Sequence, residues 1–237
     1  MGSEETMTPH ASERIKSELA RYSARLVSRG LVVGPGGNTS ARDGEIMWIS
    51  PSGFALDDIG ADDWVAMDIA SGEARQRAPR PSSEFAMHLA IYRARPDVSA
   101  IVHTHPPTTI GVISAGLDRI PFMFPDQVAV VGDVPFIDYV VPCSQELADA
   151  VVAAMGNEDV SALLMQNHGL ITVGHNLKEA YYRTEVVEDA ARIFWVAATV
   201  GTPRTLTAPE ADEIRNLEAE RYRQRLLRDA SAAVSSP

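Results

Sequence analysis

The chain has almost no cysteine. Its one thiol, Cys143, excludes a disulfide within the chain and any cysteine-rich zinc module. No apolar run approaches the roughly 18–20 residues needed to span a bilayer, so no membrane partner is expected. The opening MGSEETMTPH is polar and acidic and lacks the basic and apolar segments of a secretory signal. A cytoplasmic location is the resulting expectation. Positive charge is also scarce: 21 basic against 32 acidic side chains leave a formal net charge of −11. Nucleic-acid binding depends on a positive field, so no nucleic-acid partner is expected. What is present is ordinary for a folded domain with a core, 237 residues of which 45% are hydrophobic and 22% charged. An anionic ligand would have to be held against the overall charge.

Helical and strand patterns mix without strict alternation, which predicts one α/β or α+β domain. Residues 1–10 and 230–237 read as a disordered N-terminus and a flexible tail, leaving 11–229 as the domain. Ser12 is expected to cap a first helix, with Ile15, Leu19, Tyr22 and Leu26 on one stripe and Gly30 at its end. The glycine-rich VGPGGNTSARDG is excluded from helix, and EIMWIS predicts a strand followed by the turn PSGF. A helix is expected from Ser83 to Arg95, with Phe85, Leu89 and Tyr92 facing a core, then a buried strand SAIVHTH. IGVISA reads as helix, and VAVVGDVPFIDYV as strands interrupted by Gly132 and Pro135. Ser144 and Asn176 are placed to cap two further helices, the second running from Leu177 to about Val200. Two β-rich runs, SALLMQNHG and LITVG, lie between them, and one charged helix is predicted over Pro209–Arg228.

Among six histidines, His103 and His105 stand apart. Alternate residues of a strand share a face, so two imidazoles at i and i+2 converge as two ligands of one metal must. They could equally be half-buried histidines bonded to neighbours. A cupin would place a glutamate shortly afterwards, where this chain has PPTTIG. His168, in QNHG at a strand end, is either a turn residue or a third ligand. Three imidazoles with one open position make a catalytic site; Zn2+ suits them best, with Mn2+, Co2+ or Ni2+ possible. Glu84, after Ser82 and Ser83, is either a helix-start residue favouring the macrodipole or a general base whose carboxyl is raised by apolar walls. His88, one turn on, either orients that carboxylate or packs structurally. GPGGNTS lacks the lysine of a P-loop. Even so, Asn38, Thr39 and Ser40, Ser52 and Gly53, and Ser82 and Ser83 lie on three donor-rich loops, each a plain turn by itself, that together are able to form a phosphate nest.

Four stretches together resemble the class II aldolase/adducin family: GGNTSAR at 36–42, SPSGF at 50–54, PSSEFAMHLAIYRARPDVSAIVHTHP at 81–106 and QNHGLITVG at 166–174. The resemblance implies a three-layer α/β/α domain with a mostly antiparallel central sheet. It implies His103, His105 and His168 as metal ligands, Glu84 as acid/base and possible fourth ligand, and Asn38, Ser52, Gly53, Ser82 and Ser83 as the phosphate site. The implied activity is that of a zinc-dependent lyase like the fuculose-phosphate aldolases, working on a small phosphorylated sugar through a metal-stabilised enediolate. A metal-dependent decarboxylase of a 3-oxo acid phosphate or hydroxy aromatic acid is the alternative. Family 4-epimerases carry Asp where this chain has Glu84, and adducin-like scaffolds lack the metal histidines. No tyrosine of 121–144 matches the aldolases' proton donor, since Tyr139 fits a structural position. Tyr222, reaching from a neighbouring subunit, is the remaining candidate. The family also implies a homotetramer with interfacial active sites.

Overall fold

A computed structural model describes residues 9–229; residues 1–8 and 230–237, with most of the two expected flexible ends, lie outside it. The first helix, α1 (Pro9–Ser28), buries Leu19, Tyr22 and Leu26 as the stripe requires. It starts earlier than expected, so Ser12 is not its cap; the Ser12 hydroxyl lies within the helix and donates to Asp43 Oδ2 at 2.9 Å. The chain continues through β1 (Asn38–Asp43), β2 (Ile46–Ile49), β3 (Val65–Asp68), α2 (Phe85–Ala94), β4 (Ala100–Thr104) and α3 (Pro107–Ser114). After a π-helical turn at 127–131 come β5 (Phe136–Ile137), α4 (Gln145–Met155), β6 (Ala162–Met165), β7 (Gly169–Gly174) and α5 (Leu177–Val200). Two short helices follow, α6 (Ala208–Asn216) and α7 (Glu218–Asp229).

Two further expectations need correction. VAVV is a π turn, not a strand, although its β-branched composition favours extension: the Gln127 side chain bonds Met123 N and Ile120 O and holds the segment coiled. The predicted last helix is two, because Leu217 takes an extended conformation (φ −64, ψ 131) between α6 and α7. The glycine-rich segment yields β1 directly after Gly37. The other two predicted caps hold: Ser144 Oγ accepts from Leu147 N at 3.1 Å and Asn176 Oδ1 from Glu179 N at 2.9 Å.

The seven strands form one sheet in the order β3-β2-β1-β4-β7-β6-β5. Every pairing is antiparallel except β5 with β6. Side chains alternate between two cores. Ile101, Leu163, Met165, Ile171 and Val173 pack under α2 and α4. On the other face, Ala100 and Val102 meet α1 and the start of α5, while Ala162, Leu164 and Leu170 meet α3 and the middle of α5. The result is the expected three-layer α/β/α domain with a mostly antiparallel sheet. Among the described residues no helix is long and apolar enough to cross a membrane.

Register places the site. Asn38 of β1 stands opposite His103 of β4, which stands opposite Ile171 of β7. By period two, His103 shares the face of Ile101, under α2. Helix α2 is itself tied down at its far end by Arg95, which is 3% exposed. Its guanidinium grips Asp97 and donates to the carbonyls of Met155, Asn157 and Val160 beyond α4. We predict that Arg95→Met lowers the unfolding free energy by at least ~3 kcal/mol, because several carbonyls lose their donor at ~1–3 kcal/mol each. An unchanged urea midpoint would contradict this.

Candidate metal centre and active site

Strand β4 ends at Thr104, and the next amide, His105 N, bonds Leu31 O at 3.1 Å. His103 and His105 thereby turn their rings toward one point, with the two Nε2 atoms 3.1 Å apart. The third imidazole comes from the turn joining β6 to β7. There Asn167 adopts a left-handed conformation (φ 52), and His168 is presented just before Gly169. A side chain at Gly169 would run into the carbonyl of Thr104 and crowd the His103 and His105 rings. Gly37 (φ +67) is equally confined, since a Cβ there would lie 2.8 Å from His103 O. These two glycines let the neighbouring chains close around the histidine strand.

Glu84 is the residue immediately before α2, but it does not cap that helix with its side chain. Its position accords with the helix-start expectation, and the absence of a capping bond leaves the carboxylate available for another role. Its carboxylate is buried and turned to the histidines, with Oε2 3.1 Å from His103 Nε2 and Oε1 3.1 Å from His168 Nε2. One ligand atom from each of Glu84, His103, His105 and His168 lies within 4.8 Å of all the others.

The hydrogen bonds show what this cluster fits. His103 Nδ1 donates to Leu170 O at 3.0 Å, which leaves its Nε2 facing the cluster. That one nitrogen confronts a carboxylate oxygen and a second imidazole nitrogen, both at 3.1 Å. A single proton cannot serve both contacts, whereas one shared cation can. Two nitrogens each bound to one tetrahedral zinc-sized ion lie roughly 3.3 Å apart, close to the spacing found. Glu84 Oε1 is buried without a hydrogen bond, a further free donor atom for a cation. Three imidazoles and a carboxylate suit a divalent transition metal.

The same packing sets the charge states. Burial drives the His105 imidazole down to about 4, reinforced by the adjacent His103 and His168 and opposed by Glu84. Burial alone would raise the Glu84 carboxyl, as the sequence suggested. The neighbouring His103 and His168 outweigh burial, and the net direction is down. The expected raised carboxyl is thus corrected: surrounding imidazoles hold Glu84 ionised.

The remaining candidates divide. Ser52 and Gly53 sit on a turn laid against the Ser82–Ser83 turn through Ser52 N to Arg80 O and Ser82 N to Ser50 O, each 2.9 Å. Ser82 Oγ accepts from Glu84 N at 3.3 Å, so both turns adjoin the start of α2. Asn38 is buried, and its amide is engaged at both ends, by Glu84 Oε2 (2.9 Å) and by His88 Nε2 (2.6 Å). Tyr222 is exposed on α7, whose end is tied by Leu227 O to Asn176 beyond the opposite end of β7. Within one chain it does not join the cluster.

The sequence reading missed the roles of Ser40 and Tyr92, whose hydroxyls are buried behind His88. A signal was there: Glu84, His88 and Tyr92 recur every four residues along one helix face, and Asn38 and Ser40 share a strand face. A cavity of about 1270 Å³ lies elsewhere, beside His175 and Arg183 at the far end of β7. Every guanidinium nitrogen of Arg95 and Arg183 there is already bonded to protein oxygens.

Residues 17–195 match the family described as Class II Aldolase and Adducin N-terminal domain. The chain is 35% identical over 210 residues to the 5-deoxy-D-ribulose 1-phosphate aldolase of Bacillus thuringiensis serovar kurstaki, covering 86% of this chain and 94% of that protein. It is 37% identical over 173 residues to the L-fuculose phosphate aldolase of Methanococcus maripaludis, covering 72% and 91%. A solved L-fuculose 1-phosphate aldolase shares 33% identity with a TM-score of 0.78, over 89% of this chain and 96% of that one. The family match takes in Glu84 and all three histidines of the cluster, and the chain belongs to the class II aldolase/adducin family.

Proposed function

We propose that the protein is a metal-dependent aldolase that cleaves and forms a carbon–carbon bond in a small ketose 1-phosphate, with zinc as its metal. The observation that carries this is the convergence of three imidazoles on a buried glutamate whose side chain makes no capping bond. The two relatives named for a substrate position act on ketose 1-phosphates with different tails, 5-deoxy-D-ribulose and L-fuculose. Cleavage between the third and fourth carbons of such sugars releases the same three-carbon fragment, dihydroxyacetone phosphate, and an aldehyde. Zinc is preferred over manganese, cobalt or nickel because three neutral imidazoles and a carboxylate suit its usual tetrahedral site.

His103, His105 and His168 would hold the ion, with Glu84 as an additional ligand when no substrate is present. The bound ion supplies Lewis-acid stabilisation of the negative charge that builds up on the keto oxygen. In the condensation direction the Glu84 carboxylate takes a proton from the hydroxymethyl carbon of dihydroxyacetone phosphate. The electron pair left behind forms the new bond to the aldehyde carbon, and the aldehyde oxygen gains a proton. Cleavage runs the same steps backward, returning the proton from Glu84 to carbon. A carboxylate held ionised by its neighbours is ready for the first role. Ser52, Gly53, Ser82 and Ser83 would receive the phosphate beside the start of α2, where the helix dipole favours an anion. Asn38 would contribute by orienting Glu84, since both ends of its amide are already engaged.

Tyr222 would serve as proton donor only from a neighbouring copy. A homotetramer with interfacial sites is part of the proposal, supported by the exposed apolar end of α5 at Trp195, Val196 and Val200. A cytoplasmic location accords with the single cysteine.

Metal-reconstituted protein is expected to condense dihydroxyacetone phosphate with short aldehydes and to release no CO2 from 3-oxo acid phosphates; the opposite pattern would favour the decarboxylase. Glu84→Gln should lower kcat by at least about 10²–10⁴-fold while metal stays bound, and full turnover would remove its acid/base role. His103→Ala should lose the metal by elemental analysis; an unchanged stoichiometry would overturn the ligand assignment.

A further inference from the structure

Behind the metal cluster lies a second buried polar chain. Glu84 Oε2 is bonded by Asn38 Nδ2 (2.9 Å), Asn38 Oδ1 by His88 Nε2 (2.6 Å), His88 Nδ1 faces Ser40 Oγ (2.7 Å), and Ser40 Oγ faces Tyr92 OH (2.9 Å). Asn38, Ser40, His88 and Tyr92 are each no more than 3% exposed. The Tyr92 ring is covered in turn by the Arg42 guanidinium at 5.0 Å.

The direction of every bond follows from one end. An ionised carboxylate only accepts, so Asn38 must turn its NH2 to Glu84 and its carbonyl to His88. His88 must then carry its proton on Nε2, which leaves Nδ1 a bare acceptor. Ser40 must donate to Nδ1, and its remaining lone pair accepts from Tyr92. All four donors point the same way, toward Glu84. Burial agrees with a neutral ring, pushing the His88 imidazole down to about 3, helped by His103 and opposed by Glu84. Packing α2 on β1 would have been served as well by apolar side chains, because buried polar groups add little net stability over well-packed hydrophobic ones.

We propose that His88, Ser40 and Tyr92 are one positioning unit that acts on the base through Asn38. It holds the Asn38 amide in a single orientation, pins Glu84 Oε2, and leaves Oε1 as the oxygen free to meet the metal cluster and the reacting carbon. This rests on Glu84 being the base of the aldolase reaction. It assigns His88 an indirect role, since the imidazole reaches the carboxylate only through an amide that carries no proton of its own to transfer.

The test uses full-length, metal-loaded protein with dihydroxyacetone phosphate alone in D2O. Exchange of a carbon-bound hydrogen of that compound with solvent requires the base but no aldehyde. His88→Leu should slow exchange at saturation by roughly 10–100-fold, the usual loss when a supporting partner is removed, with KM and metal content unchanged. His88→Gln, which keeps an N–H near the Nε2 position, should recover much of the rate. Wild-type exchange in His88→Leu, or a Gln variant no better than Leu, overturns the proposal. Tyr92→Phe removes only the last hydroxyl and keeps the experiment decisive if His88→Leu does not fold: a smaller fall in exchange supports the unit, and no change refutes its extension to Tyr92. Independently, 15N histidine NMR should find His88 neutral and protonated on Nε2 from pH 5 to 9, and any other state refutes the directed chain. Metal-loaded wild-type protein that exchanges nothing would instead remove the aldolase reading, with the NMR result still judging the chain.

Discussion

Asn38 and His103 face each other across β1 and β4, and the chemistry of this domain hangs on that pairing. Antiparallel register is all-or-none: a slip of one residue would turn His103 into the α1–α5 core and bring Val102 or Thr104 to the site. The register is held on both sides. On one, Ser40 pairs with Ile101 and Ala41 with Ala100; on the other, Ile101 and Val102 pair with Val173 and Thr172 of β7. Hydrophobic alternation of Ala100, Ile101 and Val102 between the two cores enforces the same alignment. The ligand geometry is therefore a by-product of core packing at the middle of the sheet.

The acidic balance of the chain does not oppose an anionic substrate, because the site makes its own local field. Three imidazoles, a cation when bound, and the positive end of the α2 dipole gather beside the central strands β1, β4 and β7. Glu84 is the negative counterweight inside that cluster. Its carboxyl is held down by the imidazoles around it although burial pushes the other way. The charge of −11 governs the surface, while the cleft has its own sign.

Some of this was legible in the residues. His-x-His on a short apolar run implies convergence by strand periodicity, and the rings do converge although β4 ends at Thr104, one residue before His105. The α4 and α5 caps were equally plain, since Ser144 and Asn176 satisfy backbone donors within their own turn. His168 and Glu84 were ambiguous, each with an adequate local explanation as a turn residue and a helix-start residue. Tyr92 looked like one more stripe residue, because a phenol ring fills a core whether or not its hydroxyl has a partner. VAVV misled because β-branched residues favour extension only weakly, and the Gln127 side chain could satisfy the backbone of a coiled turn instead.

Local chemistry along the chain thus determined the starts of α4 and α5, the convergence of the paired histidines and the class of donor available to a metal. Which atoms meet was decided by tertiary structure alone. Residues 38, 84, 103 and 168 come from four elements, and only the sheet order β1-β4-β7 with α2 laid across it brings them together. The same closure gave Gly37 and Gly169 their meaning, since the atoms a side chain would strike there belong to β4. It also fixed the proton on His88. The tautomer of a buried imidazole is set by its two partners, and here those partners, Asn38 and Ser40, lie about fifty residues away on strand β1.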